Sequence, residues 1–370
     1  MKVACIIERS KDAITMAQTT MILMLAIGLN DHVILIPLLL RAAGRDAWLA
    51  VCLTSLLVFV AMMFMQYVIR ASKQQHIGLW LREQIPPLLA NGLLCLMALP
   101  LFVAALVTFR DTVFWAKITL LPVTPNFVLV LVLAALCFYC AYAGIASIAI
   151  ASGILLPFVV VFGFFVGTSN IPHKDMSLLF PLLEHGWNPV FRGILYSASG
   201  FSELFMILCM QHYIKSEVRY WMLALNVLIL LVLTLGPLYG AIVEFGPKEA
   251  TSMRFPAFEE WRLITFGHFF EHLDFLGIYQ WLSGAFVRIS FTAFLIVEIF
   301  GMRKGRGRTW FLGLLFGTLC VFAIVRISDT QFLGLLQRVV APGYLYCVTA
   351  IALLLVIIAW KSKRRKVHTR

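Results

Sequence analysis

Residues 17–40 read Ala17-Gln-Thr-Thr-Met-Ile-Leu-Met-Leu-Ala-Ile-Gly28-Leu29-Asn30-Asp31-His32-Val-Ile-Leu-Ile-Pro37-Leu-Leu-Leu40, a run without Lys or Arg that turns small and polar in its middle. At ~1.5 Å per residue, ~20 apolar residues cross the hydrocarbon core of a bilayer, so the run is long enough to be a membrane span. Its centre, Ile27 to His32, is unsuited to lipid. An interrupted helix survives in a membrane only where its freed backbone groups are buried in protein or line a cavity. One other run has the same form: Val190 to Met210, interrupted at Ser197-Ala198-Ser199-Gly200-Phe201-Ser202, with Glu203 beside it. Interruptions at corresponding places in two spans point to a substrate site between internal repeats.

Composition agrees. The 370 residues are 61% hydrophobic and 13% charged, with mean hydropathy +0.92; a soluble domain has a polar surface to build and does not reach such values. The apolar runs are continuous rather than alternating, which argues for helices over a β-barrel. Residues 1–13 hold Lys2, Glu8, Arg9, Lys11 and Asp12 and no apolar core of a signal peptide, so the first run is expected to stay as a span. The net charge of +12 is explained by topology: basic residues collect in cytoplasmic loops, and Lys361-Ser-Lys-Arg-Arg-Lys366 follows the last span, where anionic headgroups lie. No nucleic-acid partner is expected. Cys137-Phe-Tyr-Cys140 sits inside a span without a second pair and reads as two buried, inert thiols.

Hydropathy places ten spans at about 14–40, 47–69, 87–109, 126–143, 147–168, 190–212, 220–243, 274–300, 309–326 and 343–360. With the N-terminus inside, 18 of the 30 basic residues fall on the cytoplasmic side, which places both termini there. The expected architecture is all-α: one polytopic transmembrane domain of ten helices in a 5+5 inverted repeat, with helices 1 and 6 broken. The first repeat covers about 14–168 and the second about 190–326; the last helices run to 360, and residues 361–370 form a basic tail. Outer segments 169–189 and 244–273 are too short for a separate domain, and the second is expected to end along the membrane surface.

The ligand-binding candidates are Gly28, Leu29, Asn30, Ser197, Ser199, Gly200, Phe201 and Arg288. Small residues in spans serve either close helix packing or an unwound site whose N–H groups hold a carboxylate. Bulky side chains at Gly28 or Gly200 are expected to abolish ligand response without preventing insertion. Asp31 and Glu203 are candidates for proton or ion coupling within a polar network, because ionisable groups inside spans are costly. Glu203 and Arg288 are either structural partners or, respectively, a proton site and a contact for a ligand carboxylate. Glu298, beside Arg303 and Lys304, reads as a snorkelling or loop-paired carboxylate. No phosphate-binding glycine loop occurs. His268 and His272 are four apart without a third ligand, and no metal, cofactor or catalytic residue is expected.

Several motifs together resemble the spore germination permeases of endospore-forming bacteria, the B-type subunits of germinant receptors. They are the interrupted first span with Pro37, Gly44-Arg-Asp46-Ala-Trp48, Arg110, Phe180-Pro-Leu-Leu-Glu-His-Gly186 and Gly200-Phe-Ser-Glu203. Phe255-Pro256, Glu271-His272-Leu273-Asp274 and Trp281 complete the set, with His272 where the family carries Arg. The resemblance runs from about Thr15 to Lys363. It implies the amino acid–polyamine–organocation transporter superfamily and a LeuT-like core. It further implies a small germinant, commonly an amino acid, and partners of two kinds: an A-type membrane subunit and a C-type lipoprotein. It places the protein in the spore inner membrane. The expected function is germinant binding at mid-membrane between spans 1 and 6; the alternative is a proton- or cation-coupled amino acid transporter.

Overall fold

The structure is a computed structural model and describes residues 12–264, 273–302, 304–325 and 327–368, with side chains to Arg364. Helix α1 (Met16–Leu29) starts on a capping box: Gln18 N–H donates to Thr15 Oγ1 (3.2 Å), and Thr15 N–H donates to Gln18 Oε1 (2.9 Å). The helix does not unwind at the interruption. It widens into a π turn over Asn30–Ile34, where the Leu35 N–H reaches back five residues to the Asn30 carbonyl, and continues as α2 (Leu35–Ala43). A chain reversal follows at Gly44-Arg45-Asp46, where Gly44 has φ of 54°, and α3 (Ala47–Ser72) returns.

The remaining helices are α4 (Ile77–Gln84), α5 (Pro87–Thr119), α6 (Asn126–Ala143), α7 (Ile145–Ser169), α8 (Trp187–Phe201) and α9 (Met206–Met210). After them come α10 (Tyr220–Phe245), α11 (Pro247–Ser252), α12 (Pro256–Arg262), α13 (Asp274–Ile299), α14 (Arg306–Ile324), α15 (Asp329–Leu335) and α16 (Ala341–His368). Among the described residues nine helical stretches are long and apolar enough to cross a membrane. The first, Met16–Ser72, has 57 residues, far more than the ~20 that one crossing needs, and the reversal at Gly44 divides it. The third span, expected at 87–109, runs past Phe109 as far as Thr119. The last begins earlier than hydropathy suggests: α15 and a second π turn, Leu336–Val340, precede α16.

Central to the bundle is α13, 89% buried over its most apolar window, with α5, α1, α7 and α6 packed around it. Helix α8 lies on α2 and α3. The first and sixth spans run antiparallel: before α1, the Ile14 N–H donates to the Tyr213 carbonyl (2.9 Å), and at the other end Arg45 pairs with Glu184 (2.9 Å). These contacts define an Ile14 end and a Gly44 end of the bundle. His268, His272 and the Glu271-His272 part of the family motif lie outside the described residues, as do Arg303 and Lys2, Glu8, Arg9 and Lys11.

Candidate functional site

Three irregular turns meet in the middle of the bundle. Two are the π turns at Asn30–Ile34 and Leu336–Val340; the third is a tightened 3-10 turn at Ser202–Phe205, which joins α8 to α9. A proline follows each π turn within three residues, Pro37 after Ile34 and Pro342 after Val340. Proline has no N–H to give the carbonyl four residues back, so the preceding turn is the weak point of the helix. Proline permits the wide turn without forcing it, since Pro100, Pro157 and Pro237 sit in helices with no such turn. In the first span the His32 ring adds a tie across the turn before it, its Nδ1–H donating to the Gly28 carbonyl at 2.9 Å.

The turns enclose a cavity of about 40 Å³. Asn30, Ile34 and Leu35 line it from the first span, Ala104 and Val107 from α5, and Ser199 and Glu203 from the sixth. Arg288 contributes from α13, and Leu336 and Tyr344 from the last span. Arg288 is 1% exposed and every nitrogen of its guanidinium is used. Nη1 and Nη2 form a two-pronged ion pair with Glu203 (Nη2 to Oε1 2.6 Å), Nη1 also donates to the Ala26 carbonyl (2.8 Å), and Nε donates to Thr108 Oγ1 (2.7 Å). A buried ion pair of this kind is tolerated only when hydrogen bonds satisfy the rest of both groups. Tyr344 is the contrasting group: its hydroxyl is buried and has no hydrogen-bond partner among the described residues.

Of the residues expected at a site, the cavity brings together Asn30, Ser199, Glu203 and Arg288. Asp31 lies behind its wall, fully buried; Asn30 Nδ2 donates to its Oδ1, and Thr234 Oγ1 lies against Oδ2, both at 3.3 Å. Gly200 explains itself there, because a Cβ on it would collide with Asp31 Oδ1 and stand 2.8 Å from Leu35. Gly28 does not: a Cβ there would meet only Leu233, at an ordinary 3.6 Å. Leu29 packs against α13 at Gly284, and Phe201 and Ser197 are buried away from the cavity. Sequence reasoning missed Tyr344 and the π turn at Leu336–Val340; Pro342-Gly343 inside an apolar run was the available signal.

Polar networks lie toward either end of the bundle. One turn along α5 from Val107, Arg254 pairs with Asp111 and, through Nε, with Asp329 (3.0 Å), while Arg110 donates to the Ile327 carbonyl (2.9 Å). Trp281 stacks on Trp115 with ring centres 4.1 Å apart and meets Phe255 edge-on. At the Ile14 end, Glu298 is buried and takes a hydrogen bond from His212 Nε2 (3.2 Å), with Arg308 at 3.9 Å. Glu298 is therefore buried rather than snorkelling, with His212 and Arg308 as its partners; Lys304 reaches the Ala143 carbonyl, and Arg303 lies outside the described residues. His76 completes a triad with His212 and Glu298. Its Nδ1 accepts from the Gly78 and Leu79 N–H groups, and its Nε2–H donates to the Glu298 carbonyl (2.7 Å), so neither nitrogen keeps a lone pair for a metal.

The residues quoted as family motifs therefore touch one another. Arg45 pairs with Glu184, Asp46 accepts from the Leu183 N–H (3.1 Å), Phe255 packs on Trp281, and Gly200 seats Asp31. A family described as "Spore germination protein" matches residues 13–332. The chain belongs to the spore germination permease family. It is also similar to spore germination protein XB of Bacillus anthracis, 39% identical over 349 residues, which cover 94% of this chain and 98% of that protein. Membership accounts for the permease-like polytopic architecture and assigns the chain to germination; the cavity is where this permease has its convergent polar groups.

Proposed function

We propose that this permease is the B-type subunit of a germinant receptor and binds a small germinant, an amino acid by its chemistry, in the cavity between spans 1, 6 and 10. The observation that carries the reading is the Tyr344 hydroxyl, buried without a partner beside Asn30, Ser199 and the Glu203–Arg288 pair. A zwitterion offers both donors and acceptors to such a set. The cavity as it stands holds a few waters, far below the ~300 Å³ at which small-molecule pockets begin. Entry of the ligand thus requires the bundle to loosen, and the energy of binding is available to shift it between two packings. In this account the chain crosses the membrane ten times as two inverted five-helix halves, LeuT-like, with both termini in the cytoplasm and the Gly44 end outward. It resides in the spore inner membrane, where an A-type membrane subunit and a C-type lipoprotein read the shift. It acts by binding and performs no covalent chemistry.

A second reading, a proton- or cation-coupled amino acid transporter, is favoured by one observation: among the described residues, fully buried Asp31 has the neutral donors Asn30 and Thr234 within hydrogen-bond distance. A thermal-shift screen of the purified chain against amino acids, sugars and nucleosides tests the first reading. Ligand at a hundredfold its dissociation constant stabilises by ~2.7 kcal/mol. A selective shift with one or a few amino acids is expected, and no shift with any amino acid contradicts it. Accumulation of that amino acid by proteoliposomes would favour the transporter.

A further inference from the structure

On the membrane face of the bundle, away from the central cavity, α3 and α16 leave an open apolar groove of about 580 Å³ between them. Met63, Phe64 and Tyr67 line one wall and Val356, Ile357 and Trp360 the other. Phe64 is 54% exposed and Trp360 46%. The lining follows helical spacing: residues 60, 63, 64 and 67 form one stripe of α3, and 356, 357 and 360 one stripe of α16. Each stripe ends in the same way. Three residues past Tyr67 comes Arg70, and three and four past Trp360 come Lys363 and Arg364, all exposed.

The cations are held at the rim by the aromatic rings. Lys363 Nζ lies 4.8 Å from the Tyr67 ring centre, and the Arg364 guanidinium 3.8 Å from that of Trp360. Neither α3 nor α16 contains a single Asp or Glu, so these charges have no acidic neighbour on their own helices. An apolar slot that opens to hydrocarbon and ends in unneutralised cations fits one ligand chemistry. We propose that the groove is a binding site for an anionic phospholipid, its acyl chain between Phe64 and Ile357 and its phosphate on Arg70, Lys363 and Arg364. The apolar walls give affinity for any acyl chain; the cations supply the preference for an anionic headgroup.

The test uses the full chain in bilayer nanodiscs containing phosphatidylglycerol or phosphatidylcholine with brominated acyl chains, which quench tryptophan on contact. Subtracting the signal of Trp360→Phe isolates the groove from the other tryptophans. Quenching of Trp360 is expected to reach half its maximum at a mole fraction of brominated phosphatidylglycerol about tenfold lower than of brominated phosphatidylcholine. In the triple variant Arg70→Gln, Lys363→Gln, Arg364→Gln the two lipids should become equivalent while both still quench. Equal curves for the two lipids in the wild type would overturn the proposal. So would a Trp360 that neither lipid quenches, which would mean that protein covers the groove.

Discussion

Glu203 and Arg288 sit 85 residues apart in sequence, and each is the other's charge partner in the interior. Removing one leaves an uncompensated buried charge, which costs about 3–5 kcal/mol, whereas replacing both with apolar residues of similar size costs much less. Glu203→Gln should therefore lower the thermal stability of the purified protein sharply, and Glu203→Leu combined with Arg288→Met should recover most of it. Tyr344→Phe tests the opposite case. Its hydroxyl has no partner to lose, so stability should stay within about 0.5 kcal/mol of wild type in an unfolding titration, although the variant loses a donor to the ligand. The two glycines that look alike in sequence should separate. Gly200→Ala forces its Cβ onto Asp31 and Leu35 and should cost about 1–3 kcal/mol, while Gly28→Ala, facing Leu233 at 3.6 Å, should be nearly neutral. The sequence marks both positions as small; only packing shows that one of them accommodates a carboxylate.

At the scale of elements, the spans were legible because a bilayer demands ~20 apolar residues, and their absence from loops is unambiguous. Their interruptions were legible too, but as unwound breaks. The helices instead widen or tighten by one bond, since a π or 3-10 turn keeps nearly every backbone group paired where lipid and protein offer no water. Pairings such as Glu203 with Arg288, or Glu298 with His212, were beyond reach because helix rotation about its axis is set by neighbours, not by hydropathy. The short α12 carries a prediction of its own. Glu260 is 5% exposed over Gly240, and its burial, reinforced by the charge of Glu244 and opposed by Lys174, pushes its carboxyl well above the usual range. A raised folded value means that the unfolded chain releases this proton first as pH rises from ~4.3. Glu260 therefore lowers stability progressively up to its folded value and fully above it. Glu260→Gln should raise the unfolding temperature at neutral pH, with the gain vanishing below about pH 4.

The molecule as a whole is a bundle with a polar network toward each end and, between them, a cavity too small for the proposed ligand. Arg254, on the segment between α11 and α12, ties α5 to α15 through Asp111 and Asp329 at the Gly44 end, beside Arg110 of α5, whose guanidinium lies over the Phe332 ring of α15. Arg254→Gln should loosen that tie, and a cysteine placed at Val107 should then react faster with a membrane-impermeant thiol reagent than in the wild-type background. A ligand biases such an equilibrium only by its unequal affinity for the two packings. If the three irregular turns form the ligand site, filling the space between them abolishes binding. The most direct test is equilibrium binding of a radiolabelled amino acid, chosen by its thermal shift, to nanodisc-embedded wild type, Ala104→Phe and Tyr344→Phe. Binding should be unmeasurable when Phe fills the cavity and about tenfold weaker without the hydroxyl, a lost hydrogen bond of ~1–1.5 kcal/mol. Wild-type affinity in both variants would contradict a ligand site at these turns.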